Sequence, residues 1–359
     1  VRGQFKSVYL AEMMAVDGSF PAELDRTKPY GYSLFVLDAM AMVAQLASTE
    51  EDNLWTFELP DGRGMRKGVA FLFPYLEDKS AWPYGRDVLY WDDWPVRHPS
   101  LLLAGLRFGE ADWLSLWEAL EADPATPEVL RNLPVRHPLL WVDLDRPLSR
   151  ETTALPQTSA QPFLFSGADI ERVKAAVQAG DRQYDAALAV LRRDAEEALG
   201  KGPFSVTFDE TTPPSGDPHD YVSMAPYWWP DPEDPDGPYI RRDGLVNPAA
   251  SGGDKAARGD LYQSVAALGT AYYFFGEDRY AAKAASLIRT WFIDPATRMN
   301  PHMQYGQYVP GRNEGRPFGI IETRVFQQIL DAVQLMKDSE AWTSTDHLAL
   351  QRWFSDYLD

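Results

Sequence analysis

The stretch LYQSVAALGTAYYFFGEDRYAAKAASLIRTWF, residues 261–292, indicates how this chain folds. Apolar residues recur at three- and four-residue spacing over 261–275 and again over 279–292, a pattern typical of amphipathic helices. Gly276 and the two acidic residues after it interrupt the pattern with turn-forming residues. The stretch therefore predicts two antiparallel helices joined by a short turn.

The same helical spacing recurs along most of the chain, whereas strand-like alternation is scarce. The run at 33–47 is almost wholly apolar and predicts a buried helix, and the break at Gly180 divides 169–199 into a helical hairpin. The further predicted helices cover 65–75, 110–121, 320–337 and 343–358. The sequence therefore predicts an all-α fold of antiparallel helix pairs.

Composition narrows the class of protein. The chain has 359 residues, of which 45% are hydrophobic, and a net charge of −19. This apolar fraction suffices for a packed core, and the acidic balance disfavours nucleic acid and anionic membranes as partners. No run of 18 apolar residues occurs, so we expect no membrane span. The absence of cysteine excludes disulfides, thiolate zinc sites and cysteine nucleophiles.

Two long irregular segments, 201–259 and 298–319, separate predicted helices, and loops of this length in a compact domain are usually functional. A third segment, 146–161, is polar, rich in Ser and Thr and without periodicity. We interpret 146–161 as a linker.

The run HDYVSMAPYWWPDPEDPDGPYIRRDGLVNP, residues 219–248, combines aromatic rings with a pair of arginines. Rings that stack on a sugar and guanidinium groups that bind carboxylates would suit a sugar acid. A rigid, proline-locked loop with solvated arginines is an equally open interpretation. The candidate ligand-binding residues are Tyr221, Tyr227, Trp228, Trp229, Arg241 and Arg242.

The run NPHMQYGQYVPGRNEGRPFGIIETR, residues 300–324, is dense in hydrogen-bond donors and lies just before an apolar helical pattern. Its glycines would let the backbone approach a ligand. The candidate residues here are His302, Gln304, Tyr305, Gln307, Arg312, Asn313 and Arg316.

The run DGSFPAELDRTKPYGYSLF, residues 17–35, places Arg26 and Tyr32 just ahead of the apolar helix. A tyrosine at a helix start is usually a packing residue. A cation folded against it would favour its phenolate, since the unperturbed pKa of tyrosine is about 10.

Together these runs resemble the alginate lyase family of (α/α)-toroid polysaccharide lyases. The similarity is carried by DY-x-S-x-x-PYWWPDP…PYIRRDG-x-x-NP, NP-x-x-x-Y-x-Q-x-x-PGRN-x-GR-x-x-GIIETR and DGS-x-P-x-EL-x-RT…YS, with the later DGR-x-x-RK and WPY. It covers nearly all of the chain except the linker, and it is greatest to the branch with glucuronan and alginate lyase activity. The resemblance implies one (α/α)-toroid domain over 1–359.

The order of these motifs differs from that of the family. Residues 1–145 resemble the family's C-terminal half and residues 162–359 its N-terminal half, so the chain looks circularly permuted, with 146–161 joining the original ends. Toroids tolerate such a change when their termini lie close together on the surface. The family's Asn-Asn-His-Gly motif, expected where Asp359 would join Val1, does not occur, and about one helical hairpin is missing there.

The resemblance also implies a reaction, β-elimination at a uronic acid. By that resemblance Tyr32 is the base and acid, Arg26 its activator, and Asn313 the group that neutralises the substrate carboxylate, with Gln307, Arg312 and Arg316 beside it. An acidic polysaccharide is the implied partner, in a secreted or periplasmic location. No cofactor is expected, because no ligand spacing in the sequence argues for a metal. The oligomeric state is not indicated.

Two other functions stay open from the sequence alone. A glycoside hydrolase on the same toroid would use two carboxylates, and Asp220 and Glu322 are the acids of the two ligand-like loops. A catalytically silent protein that binds uronans would keep the aromatic loops without the chemistry.

Overall fold

The computed structural model describes residues 1–130, 132–133, 136–142, 144 and 160–358. The polypeptide forms two compact units, each described by itself: unit 1 is Val1–Thr153 with Phe163–Ala176, and unit 2 is Ala154–Pro162 with Val177–Asp359. Almost all of the linker predicted at 146–161 lies outside the described residues. The single toroid over 1–359 stays a prediction.

Unit 1 is helical. Its elements are α1 (Arg2–Gln4, continued by a π-helical segment, Phe5–Met13), α2 (Pro21–Leu24), α3 (Pro29–Ala47), α4 (Met65–Glu77), α5 (Pro99–Phe108), α6 (Ala111–Ala119), α7 (Pro127–Leu130) and α8 (Gly167–Gln178). The last two residues of α8 belong to unit 2. Helix α3 packs against α5 and α4, and most of its apolar residues are buried, as predicted for the run at 33–47.

Helix α3 begins four residues earlier than the apolar run suggests. Pro29 occupies its first turn, where a missing N–H costs nothing. The carboxylate of Asp87 accepts the backbone N–H groups of Tyr30 (2.9 Å) and Gly31 (2.8 Å), two donors that have no partner within a helix. A residue far along the chain therefore caps the helix.

Helix α5 was not predicted from the sequence. Its residues are apolar on nearly all sides and almost all of them are buried. A run without a polar face carries no helical period, which explains why the spacing did not reveal it.

Unit 2 is also mainly helical, and the helical hairpin predicted at 261–292 is confirmed. Its helices are α9 (Asp185–Leu199), α10 (Gly253–Phe275), α11 (Asp278–Ile288), α12 (Phe326–Leu335) and α13 (Ser344–Leu358). Gly276 ends α10 in a left-handed conformation (φ 69°), which glycine adopts without strain. Helix α10 packs against α9, α11 and α12.

Two predicted helices differ in detail from the structure. The run at 169–199 divides into α8, a short 3₁₀ turn (Arg182–Tyr184) and α9, as the Gly180 break predicts. The run at 320–337 begins with a 3₁₀ helix, Pro317–Val325, and becomes α-helical only at Phe326. The prediction of one α-helix there was wrong over its first residues.

The strands of unit 2 are short and lie in the two ligand-like loops. They are β1 (Val222–Met224), β2 (Trp228–Trp229), β3 (Ile240–Arg241) and β4 (Tyr305–Tyr308). Strand β1 pairs with β4 in parallel, and β2 pairs with β3 in antiparallel register with Trp228 opposite Arg241. The all-α fold class is confirmed, and these small ladders hold the loops in place.

One helix within the described residues, α3, is long and apolar enough to cross a membrane by length and composition. In the structure 61% of its apolar window is buried. Its composition fits a position in the core of unit 1, and the absence of a membrane partner stays a prediction.

Candidate functional site

In unit 1 the structure brings Arg26 and Tyr32 together. The guanidinium carbon of Arg26 lies 3.6 Å from the centroid of the Tyr32 ring, so the cation stacks on the ring face. Glu23 binds the same guanidinium at 2.8 Å. Tyr32 itself is buried at the start of α3, with 6% of its surface exposed. The arrangement places a positive charge directly against a phenol.

A second cation, Lys28, lies beside the same ring and was missed by the sequence reasoning. Its Nζ atom is 4.8 Å from the Tyr32 ring centroid and 3.1 Å from Oε1 of Glu128. Both charged side chains are largely buried. Lys28 and Glu128 are 100 residues apart in the chain, so the sequence around either residue does not predict that they pair.

A small cavity of about 10 Å³ opens next to Tyr32. Burial raises the pKa of the Asp87 carboxyl at this cavity, an effect opposed by the two backbone N–H groups that it accepts. The cavity is lined by Lys28, Gly31, Tyr32, Phe35, Asp87, Trp94, Glu128 and Asn132. A space of this size holds about one water molecule, so Tyr32 borders a polar, nearly enclosed space.

The neighbouring tyrosine on α3, Tyr30, has a different environment. It is fully buried, and its hydroxyl donates to the carbonyl oxygen of Tyr75 at 2.9 Å. Burial raises the pKa of Tyr30 well above its ordinary value, and the negative charge of Asp87 adds to this effect. The Tyr30 hydroxyl is therefore committed to the core, whereas Tyr32 borders the cavity.

In unit 2 the aromatic loop presents two tryptophans on β2. The Arg242 guanidinium lies 5.8 Å from the Trp229 ring centroid, and the Trp229 indole N–H donates to the carbonyl oxygen of Leu245 at 2.9 Å. Tyr227, half-buried, accepts the backbone N–H of Arg242 through its carbonyl oxygen at 2.8 Å. The rings and the arginine therefore lie side by side, as the sequence suggested.

Arg312 joins the two ligand-like loops. Its Nε–H donates to the carbonyl oxygen of Tyr239 at 2.6 Å, and its guanidinium carbon lies 5.1 Å from the Trp228 ring centroid. The loops predicted separately from 219–248 and 300–324 thus form one surface within unit 2.

Gln307 and Arg316 form a fixed pair on this surface. Arg316 donates to the backbone carbonyl (2.9 Å) and the side-chain oxygen (2.8 Å) of Gln307. Gln307 has a left-handed backbone (φ 54°), which is unusual for a residue with a side chain. Burial lowers the pKa of Arg316, and the positive charge of Arg241 contributes to this effect. The guanidinium groups of Arg316 and Arg241 therefore lie near enough for their charges to repel each other.

Three of the four arginines named on this surface have no carboxylate partner among the described residues. Among the described residues, no carboxylate pairs with Arg242, Arg312 or Arg316, although the chain carries a net charge of −19. Arg241 differs, because Asp243 binds it at 2.7 Å. Unpaired guanidinium groups beside aromatic rings are suited to a ligand that carries carboxylates.

Asn313 lies exposed in the same loop. Its side-chain oxygen accepts the backbone N–H of Val309 at 3.1 Å, and its amide nitrogen has no hydrogen-bond partner in the described part of the chain. The amide N–H groups are therefore available to a ligand.

Tyr221 does not line the surface as predicted. It is fully buried, and its hydroxyl donates to Oε2 of Glu322 at 2.6 Å. Burial raises the pKa of Tyr221 well above its ordinary value. Gln307 donates to the other oxygen of Glu322 at 3.4 Å. Tyr221 therefore supports Gln307 from inside through Glu322.

His302 and its neighbours have mixed positions. Nε2 of His302 lies 3.0 Å from Oδ1 of buried Asp220, and Nδ1 faces the backbone N–H of Gln304 at 3.4 Å. Tyr305 is buried on β4, with its ring 6.2 Å from that of His302, whereas Gln304 is exposed. Both imidazole nitrogens of His302 therefore have partners within unit 2, and its role in binding substrate stays a prediction.

Within the described residues, no three His, Asp or Glu side chains lie close enough together to hold a metal ion. The candidate residues thus form two groups, one around Tyr32 in unit 1 and one around Arg312 and Arg316 in unit 2.

Comparison with known proteins gives a matching family and solved relatives. The family model described as alginate lyase matches residues 1–82 and 205–359. A crystal structure of an alginate lyase from Bacteroides ovatus is 44% identical, with a TM-score of 0.51. That match covers 52% of this chain and 50% of the solved chain, so it spans half the length of the relative. None of the curated proteins compared matches this chain. The likeness agrees with the helical toroid class.

Proposed function

Because the chain belongs to the alginate lyase family, we propose that it is a polysaccharide lyase that cleaves a uronic-acid polymer, alginate or glucuronan, by β-elimination. The observation that carries the proposal is the Arg26 guanidinium stacked 3.6 Å from the ring of Tyr32. Both residues lie inside the first matched segment.

In the proposed reaction Tyr32 removes the proton at C5 of the uronate. The C5–H electron pair forms the C4–C5 double bond as the C4–O4 glycosidic bond breaks, and the departing O4 receives a proton from the tyrosine. A cation against the ring stabilises the phenolate that such a base needs. Buried Tyr30, with its hydroxyl committed to a backbone carbonyl, does not compete for this role.

The C5 proton becomes acidic only when donors neutralise the neighbouring carboxylate. In unit 2 the exposed amide of Asn313 and the guanidinium groups of Arg312 and Arg316, which no described carboxylate neutralises, are donors of the kind that bind carboxylates. Trp228 and Trp229 offer faces for the flat sides of sugar rings. These features support an acidic polysaccharide as substrate.

The hydrolase alternative is less well supported by the contacts. Asp220 is buried and accepts hydrogen bonds from Ser215 and Asn300, and it also contacts His302. Glu322 is buried and bound by Tyr221. Neither acid is placed to protonate a glycosidic oxygen.

The test is the variant Tyr32→Phe, assayed on alginate and on glucuronan by the ultraviolet absorbance of the unsaturated product. We expect kcat to fall by at least about 100-fold, the usual contribution of a general base. Tyr30→Phe is the matched control on the same helix and should retain activity. Full activity of Tyr32→Phe would contradict the assignment of the base.

With the wild-type protein, reducing ends without the absorbance would indicate hydrolysis, and binding without either product would indicate a silent binding protein.

We also propose that the chain is circularly permuted relative to its family, and that it acts in a secreted or periplasmic location. The motif order supports the first statement, since the RT…YS run precedes the PYWWP run here. The second rests on the substrate, because a long polyanion does not cross a membrane unaided. The complete gene sequence, including whatever is encoded before Val1 and after Asp359, tests the permutation. Secretion of the tagged full-length protein tests the location.

A further inference from the structure

Lys28 is a buried lysine at the start of the helix that carries Tyr32. Its side chain is 3% exposed, and that of its partner Glu128 is 15% exposed. Removing an ammonium and a carboxylate from water is costly, so a buried ion pair is weak evidence for a stabilising role. The position of this pair points to another role.

The ammonium of Lys28 lies next to two tyrosine rings. Nζ is 4.8 Å from the centroid of Tyr32 and 5.2 Å from that of Tyr90. Tyr90 has a left-handed backbone (φ 66°), a conformation that an aromatic residue adopts only when its surroundings impose it. Strain of this kind is concentrated at functional sites.

We propose that Lys28 is a positioning residue for Tyr32, whose buried ammonium, held by Glu128, stabilises the phenolate form of Tyr32 and fixes the ring for proton transfer. The inference rests on the role proposed above for Tyr32. The Arg26 side chain is 30% exposed, so solvent and salt screen its charge more than that of Lys28. The charge of Lys28 beside the ring is therefore less screened than that of Arg26.

The acids around Tyr32 are turned toward other partners. Glu23 binds Arg26 at 2.8 Å, and Glu128 binds Lys28 at 3.1 Å. Asp87 accepts the backbone N–H groups of Tyr30 and Gly31. Among the described residues, Arg26 and Lys28 both lie against the Tyr32 ring.

The ion pair of Lys28 with Glu128 includes a residue outside the segments that the family model matches. Lys28 falls inside the matched segment 1–82, whereas Glu128, Asp87 and Tyr90 fall in the unmatched stretch between 82 and 205. The setting of Lys28 is therefore a property of this chain that the family match does not supply.

The test uses the double variant Lys28→Met/Glu128→Gln, because Lys28→Met alone would leave a buried carboxylate unpaired and endanger folding. Lys28→Arg, which keeps the charge, is the rescue variant. The matched control is Lys6→Met/Asp52→Asn, which removes another lysine of unit 1 that pairs with an acid and lies over an aromatic ring, Phe57.

The first readout needs no substrate. The ultraviolet titration of Tyr32 is obtained as the difference between each protein and the same protein with Tyr32→Phe. We expect it to move upward by about one pH unit in Lys28→Met/Glu128→Gln, to stay at the wild-type value in the control, and to return toward that value in Lys28→Arg. An unchanged titration in the folded double variant overturns the proposal.

The second readout is the pH dependence of cleavage. We expect kcat at neutral pH to fall about tenfold, the ascending limb of the profile to move upward by the same pH unit, and KM to change less than about twofold. A purely structural role would change neither the limb nor the titration. A shifted titration in a protein without lyase activity would support the effect of Lys28 on Tyr32 and overturn the proposed function, so the two can fail separately.

Discussion

Asn313 and Gln307 are two amide side chains of the same loop that differ in how many of their hydrogen-bonding groups already have a partner. The amide of Gln307 is bound to Arg316 on one side and to Glu322 on the other. That of Asn313 accepts one backbone N–H, and its nitrogen has no partner in the described ranges of the chain. Gln307 therefore shapes the surface, whereas Asn313 can donate to a substrate.

This difference leads to a prediction for Asn313→Asp. The variant keeps the oxygen that accepts the Val309 N–H, and it replaces the N–H donors with negative charge. We expect kcat on a uronan to fall by about 100-fold or more, as for the loss of one donor to a developing oxyanion. The melting temperature should stay within about 2 °C, since the side chain is exposed. Steady-state kinetics and thermal unfolding measure the two quantities.

Glu314→Gln is the control, because it changes the charge of the next exposed residue and touches none of the proposed donors. If Asn313→Asp cleaves the polymer as fast as the wild type, Asn313 has no part in neutralising the substrate.

Sequence reasoning could point to the arginine-rich loop because its residue types are close together along the chain, whereas the roles of Arg26 and Tyr32 were implied by the resemblance to the family. It could not find Lys28 with Glu128, since pairing across 100 residues leaves no local pattern. It also placed Tyr221 on the surface, because an aromatic residue next to a Trp-rich loop looks the same whether it is buried or exposed. Burial is decided by packing, which periodicity does not report in a loop.

At the scale of elements, unit 1 depends on a cap that one helix supplies to another. Asp38, buried within α3, accepts the Ser100 hydroxyl at 2.6 Å and the Ser100 backbone N–H at 3.1 Å through one oxygen, and contacts Nδ1 of His98 at 2.8 Å through the other. His98 and Ser100 lie at the start of α5. One carboxylate thus joins α3 to the N-terminus of α5.

We predict that Asp38→Ala lowers the free energy of unfolding by about 2–4 kcal/mol, because it leaves several buried donors of α5 without an acceptor. Asp112→Ala removes an exposed acid from the first turn of α6 and should cost less than about 1 kcal/mol. Urea unfolding of both variants measures the difference. Equal losses would show that the cap is not important.

The fold was predictable where helices have a polar face, as in the hairpin α10–α11. It was not predictable for α5, which is buried on nearly all sides. Nor could the spacing distinguish the 3₁₀ helix Pro317–Val325 from an α-helix. There Gly319 packs against the backbone of Gly306, a close approach that tertiary structure imposes.

At the scale of the whole molecule, a large negative charge coexists with a buried acid that stays neutral. Burial raises the pKa of Asp254 to about 8, and the negative charge of Asp209 adds to this effect. Asp254 accepts the backbone N–H of Val222 at 2.8 Å and so anchors β1 to the first turn of α10. Its ordinary pKa is 3.8, so folding binds a proton there.

The sign of the effect follows from linkage. Above pH 3.8 the unfolded chain releases the proton of Asp254 while the folded chain keeps it, so stability falls as pH rises until about 8 and then levels off. We predict that Asp254→Asn, which still accepts the Val222 N–H, loses less stability than the wild type over this range. Asp356→Asn, at an exposed acid of α13, should follow the wild type. Unfolding free energies measured at several pH values compare the three, and parallel curves would contradict the prediction.

The cap that Asp87 places on α3 bears on how far the protein can be shortened. The family match ends at residue 82 on this side, yet Asp87, Trp94 and Glu128 all border the cavity at Tyr32. A protein trimmed to the matched segments would keep Tyr32, the proposed base, while losing Asp87, which caps its helix, and Glu128, the partner of its buried lysine. The shortest form that keeps the surroundings of Tyr32 therefore extends at least through Glu128, and grafting Tyr32 onto another scaffold requires moving these distant residues with it.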